Sequence, residues 1–437
     1  MTSIPASAAK LKNYKFSENS FLPKNVTVML RSEKNVTYQC LVRPGDLVEE
    51  GEVIARPADE NPAKALIHSP LPGKVIDILP VLCSDGTIES AVKIQFGGKF
   101  NFHGKKLSEN KLEFITYSQI KRNLAENGII NTFDVVHPVS LGSQFEQTEK
   151  KGRTLVVRLF DDDTTMLCDS LYSKFFLPEI IKGAQAVAKA METENILFVA
   201  DSKHGLKQKI EDLKNENFFC FEVNSSRYPA GNSKAICRLY SRFKHKPQKI
   251  QAISKDDLFV DSGTLHEVYK SVYLGMPSLS RYVHFSGNCI PVSCFLNVKV
   301  GTSLKDVVNQ LGKFVKKPSI IIVNGQIRGN TVTNLDIPFT KNVKSVYFLS
   351  SRNITDNEMY QCINCGNCRV ACPQRISPDL VYNFTIKRLQ VSDTVMKSAA
   401  LCTQCNMCNS VCPARLPLSQ AIAVLKSKIK GKDSDEE

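Results

Sequence analysis

The chain is predicted to be a multidomain α/β protein that begins with a small all-β module and ends with a small α-helical one. Three observations predict this. Short β-branched runs cut by Pro-Gly and Gly turns occupy residues 26–76, and strand-like and helix-like patterns alternate from about 114 to 223. Two cysteine-dense segments near the C-terminus are separated and followed by amphipathic stretches of helical period. With 437 residues, 42% apolar and 23% charged, the chain has material for two to four ordinary cores.

The first segment reads as strands at 26–30 and 38–42, the turn Pro44-Gly45-Asp46, a strand ending at Ala55, and further strands at 65–68 and 74–76. Its order, V-x-P-G-D-x-V-x-x-G-E-x-I followed by H-S-P-x-x-G-x-V, resembles the barrel-sandwich fold of lipoyl and biotinyl carriers. Lys64 lies where such carriers present a modified lysine, but Asn61-Pro-Ala-Lys-Ala65 lacks their flanking pattern. The period becomes helical at 114–126. A buried strand at 154–160 then delivers Asp161-Asp162-Asp163 to a loop. A helix at 178–191 opens with a first-turn proline and puts Ile180, Ile181, Ala184, Val187 and Ala188 on one face. A strand at 195–200, a helix at 207–215 and a strand at 218–223 complete an α/β domain with a largely parallel sheet, whose ligands belong beyond the strand C-termini.

Strands at 282–286, 298–300 and 319–323, one helix at 303–311, and turns at Asn324-Gly325 and Gly329 predict a β-grasp module. Helices are expected at 378–389, 392–401 and 417–430, around the cysteines. The division is therefore an N-terminal extension at 1–24, a barrel-sandwich hybrid at 25–100, an α/β nucleotide-type domain at 101–255, a β-grasp (SLBB-like) module at 256–350, a helical two-cluster ferredoxin domain at 351–425 and a charged tail at 426–437.

The last domain carries the most specific signal. The word C-x2-C-x2-C-x3-C-P occurs twice, at Cys362, Cys365, Cys368 and Cys372-Pro373, and at Cys402, Cys405, Cys408 and Cys412-Pro413. In such a run three thiolates hold one cubane and the fourth reaches the other. Cys362, Cys365, Cys368 and Cys412 are thus assigned to one 4Fe-4S cluster, and Cys402, Cys405, Cys408 and Cys372 to a second. Two structural zinc sites would also consume eight thiolates, but zinc ribbons pair C-x2-C knuckles across a loop, and the three-plus-one spacing fits a cubane better. The other seven cysteines, Cys40, Cys83, Cys168, Cys220, Cys237, Cys289 and Cys294, lack ligand spacing and read as reduced packing thiols.

The formal charge is +14, and the one clear bias lies in 375–432, where nine basic residues face only Asp379 and Asp393. Such a surface suits an acidic protein, an anionic membrane or a nucleic acid. No aromatic-interleaved basic motif is present, so no nucleic acid is expected. No apolar run reaches eighteen residues and no signal-like segment opens the chain, so any membrane contact is expected to be peripheral.

The order of these modules resembles the C subunit of the Rnf ion-translocating electron-transport complex, a layout shared with corrinoid reductases and the flavoprotein subunit of respiratory complex I. The resemblance spans roughly residues 25–425. Its echoes include Arg227-Tyr-Pro-Ala-Gly231-Asn-Ser-Lys234, similar to the family's Y-P-x-G-x-x-K stretch, and Val323-Asn-Gly-Gln-Ile-Arg-Gly329, at a family glycine turn. It implies an electron-transport subunit at the cytoplasmic face of the inner membrane. The implied partners are membrane-embedded and peripheral subunits of the complex and a ferredoxin or flavodoxin, and the implied α/β domain binds FMN and NADH.

The chain departs from the family where that site should be. Relatives carry a G-x-G-G-A-G-F-P-T loop, and here stands Gly128-Ile-Ile-Asn-Thr-Phe-Asp-Val-Val-His137-Pro138. Bulky and β-branched residues oppose the close backbone approach that a flavin phosphate needs. Asp161 and Asp163 match a family acidic station and are the candidate residual FMN or NADH contacts. Three functions stay open from sequence: a relay through two clusters, an NADH:FMN dehydrogenase subunit with an altered loop, and a corrinoid reductase.

Overall fold

The structure is a computed structural model that describes residues 4–5, 15–33, 36–146, 153–312, 314–350, 358–386 and 392–433. Residues 1–3 and 6–14 of the expected extension, 387–389 of the helix expected at 378–389, and 434–437 of the expected tail lie outside the described residues.

The N-terminal unit is built from two antiparallel sheets. One orders Asn25–Met29, Ile88–Phe96, Gly73–Leu82 and Leu47–Val48; the other orders Tyr38–Cys40, Val53–Pro57 and Ile67–His68. Cross-strand pairs Val26 with Ile94 and Val28 with Val92 turn their side chains inward, where they meet Ile54, Ile67, Leu71 and Val75. Each such aliphatic side chain contributes about 1.5–3 kcal/mol on burial, so the alternating pattern accounts for this core.

The α/β unit has a four-stranded, all-parallel sheet in the order Phe218–Val223, Ile196–Asp201, Leu155–Arg158, Leu258–Asp261. Both central strands are buried at every residue, which is why they read as continuous apolar runs rather than alternations. The fourth strand lies beyond the expected end of this domain at 255, so the sheet extends past that boundary. Its apolar stretch is only four residues long and gives little periodic signal. The helices Leu177–Ala190 and Ser262–Leu274 bury their apolar faces over the sheet.

The third unit is a six-stranded mixed sheet ordered Lys15–Phe21, Cys294–Lys299, Ser280–Ser286, Ser345–Leu349, Ile320–Val323, Asn330–Val332, with the helix Leu304–Leu311 packed on it. Its edge corrects an expectation. Lys15–Phe21 falls in the segment taken as an extension, yet it runs parallel to Cys294–Lys299. The cause is aromatic: Phe16 stacks on Phe175 with centroids 4.4 Å apart and also meets Tyr282 and Phe295.

The C-terminal unit consists of short helices, Asn367–Ala371, Pro378–Ile386, Asp393–Ala400 and Met407–Ser410, closed by Leu418–Asp433. Its main core holds Ile376, Val381, Val395, Ala399, Ile422 and Leu425. A core this small needs another source of stability, such as bound metal or docking against a neighbour.

Candidate metal centre

The helical unit folds the two cysteine words around each other. Cys362, Cys365 and Cys368 line one cavity together with Cys412 of the second word, and its remaining wall is largely apolar, with Ile363, Ala414, Leu416 and Leu418. Cys402, Cys405 and Cys408 line the other together with Cys372 of the first word, beside Ile376 and Ile422. Each word therefore contributes three sulfurs to its own cradle and one to its twin's.

The backbone repeats as well. Asn364 (φ 53°), Gly366 (φ 73°) and Arg375 (φ 56°) are matched by Gln404 (φ 53°), Asn406 (φ 58°) and Arg415 (φ 53°), all left-handed. Such positions cost about 1–2 kcal/mol each for residues bearing a Cβ. In return, alternating right- and left-handed residues turn successive N–H groups into one concavity, the kind of nest that holds phosphates and iron-sulfur clusters. The Gln404 N–H donates to Cys402 Sγ at 3.4 Å.

The donor set suits a cubane better than single ions. A tetrahedral zinc would draw four sulfurs to about 3.8 Å from one another. Among the described residues no group of three His, Cys, Asp or Glu side chains is gathered to hold a single ion. The sulfurs instead line two cavities in fours. Burial, and then the charges of Cys405 and Cys402, push the Cys408 thiol up to about 12, the behaviour of converging sulfurs that need cationic metal to shed their protons.

The second cradle is fastened to the α/β and mixed-sheet units. Tyr228 donates its hydroxyl to the Cys405 carbonyl at 2.6 Å, the Asn406 amide donates to the Ile327 carbonyl at 2.7 Å, and Lys234 donates to Gln374 at 2.9 Å. Met407 packs with Tyr228 and Ala371. Tyr228, Lys234 and Ile327 all lie in the two family-like stretches, but their role as fasteners carried no periodic or motif signal. In the first word Arg369 instead pairs twice with Asp379, pinning Asn367–Ala371 to Pro378–Ile386.

The crevice beyond the strand C-termini is occupied in part by the protein's own charged side chains, which leave cavities of about 270 and 280 Å³ beside Asp162. Arg158, fully buried, lies 4.2 Å over the Phe133 ring and donates to the carbonyls of Gly231 and Phe133 and to Asp169. Lys344, also buried, bridges Asp169 and Asp261, and Arg281 donates to Thr132. The two candidate carboxylates are engaged inside this assembly. Asp161 accepts from the backbone of Asp169 and from the backbone and hydroxyl of Ser170, holding the start of the helix Cys168–Phe175. Burial, and then the charge of Asp169, raise it to about 7. Asp163 accepts from Thr165 and from the backbone N–H groups of Ile327 and Arg328.

FMN and NADH do not fit these residues. A Cβ on Gly231 would come within 2.5 Å of Asp162 Cα, and one on Gly325 within 2.4 Å of Asp163 Oδ2. The close backbone approaches that glycine permits are therefore taken by the chain's own aspartates. The adjoining cavity of about 280 Å³ is lined by Asp134 and Asp162, whose charge is matched by Arg328, and by Lys234 and Lys426. His137 pairs with Asp134 and Lys64 with Asp59. Of the seven other cysteines, Cys83, Cys168, Cys289 and Cys294 are buried and Cys40, Cys220 and Cys237 half-buried. Among the described residues no helix is long and apolar enough to cross a membrane.

Residues 5–99 match the family described as the RnfC barrel sandwich hybrid domain. This sets the class: a mixed α/β multidomain protein whose N-terminal unit is similar to that domain. More particularly, the chain is similar to the C subunits of ion-translocating oxidoreductase complexes along most of its length. The one from Rhodobacter capsulatus is 23% identical over 82% of this chain and 69% of its own. The C subunit of the proton-translocating ferredoxin:NAD(+) oxidoreductase complex of Clostridium ljungdahlii is 24% identical over 82% and 78%. A crystal structure of NAD+-reducing NiFe-hydrogenase in the H2-reduced state is a looser likeness, with 14% identity and a TM-score of 0.47 over 70% of this chain and 60% of that one.

Proposed function

We propose that this chain is a peripheral electron-transfer subunit of an Rnf-type ion-translocating oxidoreductase, relaying single electrons through two 4Fe-4S clusters. The observation that carries the reading is the pair of crossed cradles, each with four cysteines in a largely apolar wall. The names of its relatives, C subunits of ion-translocating oxidoreductase complexes, supply the setting. Its partners are then the membrane-embedded and peripheral subunits, and its place is the cytoplasmic face of the membrane.

When bound, the clusters supply one-electron oxidation and reduction. The chain's residues do the rest. Thiolates hold the irons, backbone N–H groups such as that of Gln404 stabilise charge on sulfur, and apolar walls limit water. Tyr228, Asn406 and Lys234 fix the second cradle against the body of the protein. The charged side chains packed into the crevice favour a relay over an NADH:FMN dehydrogenase, and they give no reason to prefer corrinoid reduction.

The test is anaerobic reconstitution of the full chain with iron and sulfide, followed by titration with dithionite and with NADH in the presence of FMN. Dithionite is expected to bleach the cluster absorbance and NADH to leave it unchanged, with FMN removed by gel filtration. Bleaching by NADH through retained FMN would overturn the relay reading in favour of the dehydrogenase.

A further inference from the structure

Laid over each other, the two cysteine words and the helices that follow them differ in the charge they bring to the cradles. Asp379 lines the first cradle and its twin Ser419 lines the second. Arg369, the twin of Asn409, holds the Asp379 carboxylate through two N–H groups, so the charges at the first cradle cancel. The same contact in the second word is neutral, with the Ser419 N–H donating to Asn409 Oδ1 at 2.9 Å. One cation then stands without a counterpart. Half-buried Lys426, on the helix Leu418–Asp433, donates its ammonium to the Cys402 carbonyl at 2.9 Å and forms no ion pair among the described residues. The residue that stands to Cys362 as Lys426 stands to Cys402 is Ile386, 58% exposed.

We propose that Lys426 raises the reduction potential of the cluster in the second cradle, drawing the electron toward the cradle that is fastened to the body of the protein. The inference rests on the relay reading and adds a residue that tunes it. A thiolate-bound cluster gains one negative charge on reduction, so a cation beside a ligand residue stabilises the reduced form more than the oxidised one. The thiols feel the same fields. Burial raises Cys402, and the Gln404 N–H and then the Lys426 charge oppose it, whereas burial and then the Asp379 charge raise Cys368 in the first cradle. Other charges near Lys426 balance among themselves. In the cavity it shares with Cys402, Asp134 and Asp162 divide Arg328 between them, and the negative charge that remains is matched by Lys234. Lys426 is therefore the surplus charge at this cradle.

The test is a redox titration of the reconstituted full chain, followed by paramagnetic resonance. Lys426→Met is expected to lower the reduced-to-oxidised ratio of one cluster about ten-fold at a fixed potential, about 59 mV for one electron, and to leave the other cluster unchanged. The same shift in the background Cys362→Ala with Cys412→Ala assigns the affected cluster to the second cradle. Lys426→Arg keeps the charge and is expected to keep the wild-type potential, while Lys426→Gln keeps a donor without the charge and is expected to match Lys426→Met. Ile386→Lys places a cation at the twin position and is expected to raise the ratio of the other cluster about two-fold, a smaller effect because water and salt screen the exposed site. Unchanged potentials in Lys426→Met, equal shifts of both clusters, or the same shift in Lys426→Arg would overturn the proposal. Loss of the second cluster in both Lys426→Met and Lys426→Gln would overturn it as well, by making Lys426 a clamp on the Cys402 carbonyl. Absence of clusters from the wild type would strike the relay reading itself; clusters present with potentials indifferent to Lys426 would strike this inference alone.

Discussion

The first and second cysteine words share spacing, left-handed positions and trailing proline, yet one stands in water and the other is built into the protein. Asn367 is exposed, while its twin Met407 is fully buried against Tyr228 and Ala371. What the words have in common is what the proposed clusters would require of their ligands. What they do not share is what the surrounding protein requires of each cradle, so the difference separates cluster chemistry from assembly.

The largest expected difference follows from removing a ligand on each side. Cys365→Ala and Cys408→Ala should each lower iron from about eight to about four per chain. Only Cys408→Ala should also speed hydrogen exchange around Tyr228, because that cradle is part of the domain contact. Equal exchange in the two variants would break the comparison.

Lys344→Met leaves Asp169 and Asp261 buried without their shared cation, and denaturant unfolding should show a loss of about 3–5 kcal/mol. Iron content should stay at the wild-type value, which separates the plugged crevice from the cradles. Met407→Ala should cost about 2–5 kcal/mol, against less than about 0.5 kcal/mol for Asn367→Ala at the twin position. Similar losses at both would mean that the second word is not the anchored one.

The smallest expected effect depends on pH and lies away from both words. Burial, and then the charge of Lys341, hold the His68 imidazole down at about 3. Its folded value lies below that of the unfolded chain, so the unfolded state binds the extra proton first and stability falls as pH drops below about 6.5. Between pH 7 and 5 this one group accounts for about 2 kcal/mol. In His68→Gln the pH 5 to pH 7 difference in unfolding free energy should shrink by that amount, and an unchanged difference would contradict the assignment.

Much of this was legible in the residues. Cysteine spacing announced the crossed grouping of eight sulfurs that line the two cavities, because such spacing is local. Apolar runs such as Ile196–Asp201 announced the parallel sheet because both faces are covered. The strand Lys15–Phe21 was not legible, since its register is set by Phe16 meeting aromatics some 160 to 280 residues away in sequence. The plugging of the crevice was only half legible. The missing glycine loop showed that a cofactor lacked its cradle, but nothing local revealed that Arg158 and Lys344 would fill the space, because their partners come from four separate segments. Likewise Asp161 and Asp163 kept a family position while their oxygens turned to neighbouring N–H groups.

The crossing of the two words is tested most directly by iron determination and paramagnetic resonance on two double variants beside the wild type. The wild type should hold about eight irons. Cys362→Ala with Cys412→Ala removes two ligands of one cradle and should leave about four irons and one intact 4Fe-4S signal, whereas Cys402→Ala with Cys412→Ala should leave none. The reverse result, loss of both clusters in the first variant and survival of one in the second, or zinc in place of iron in the wild type, would contradict it.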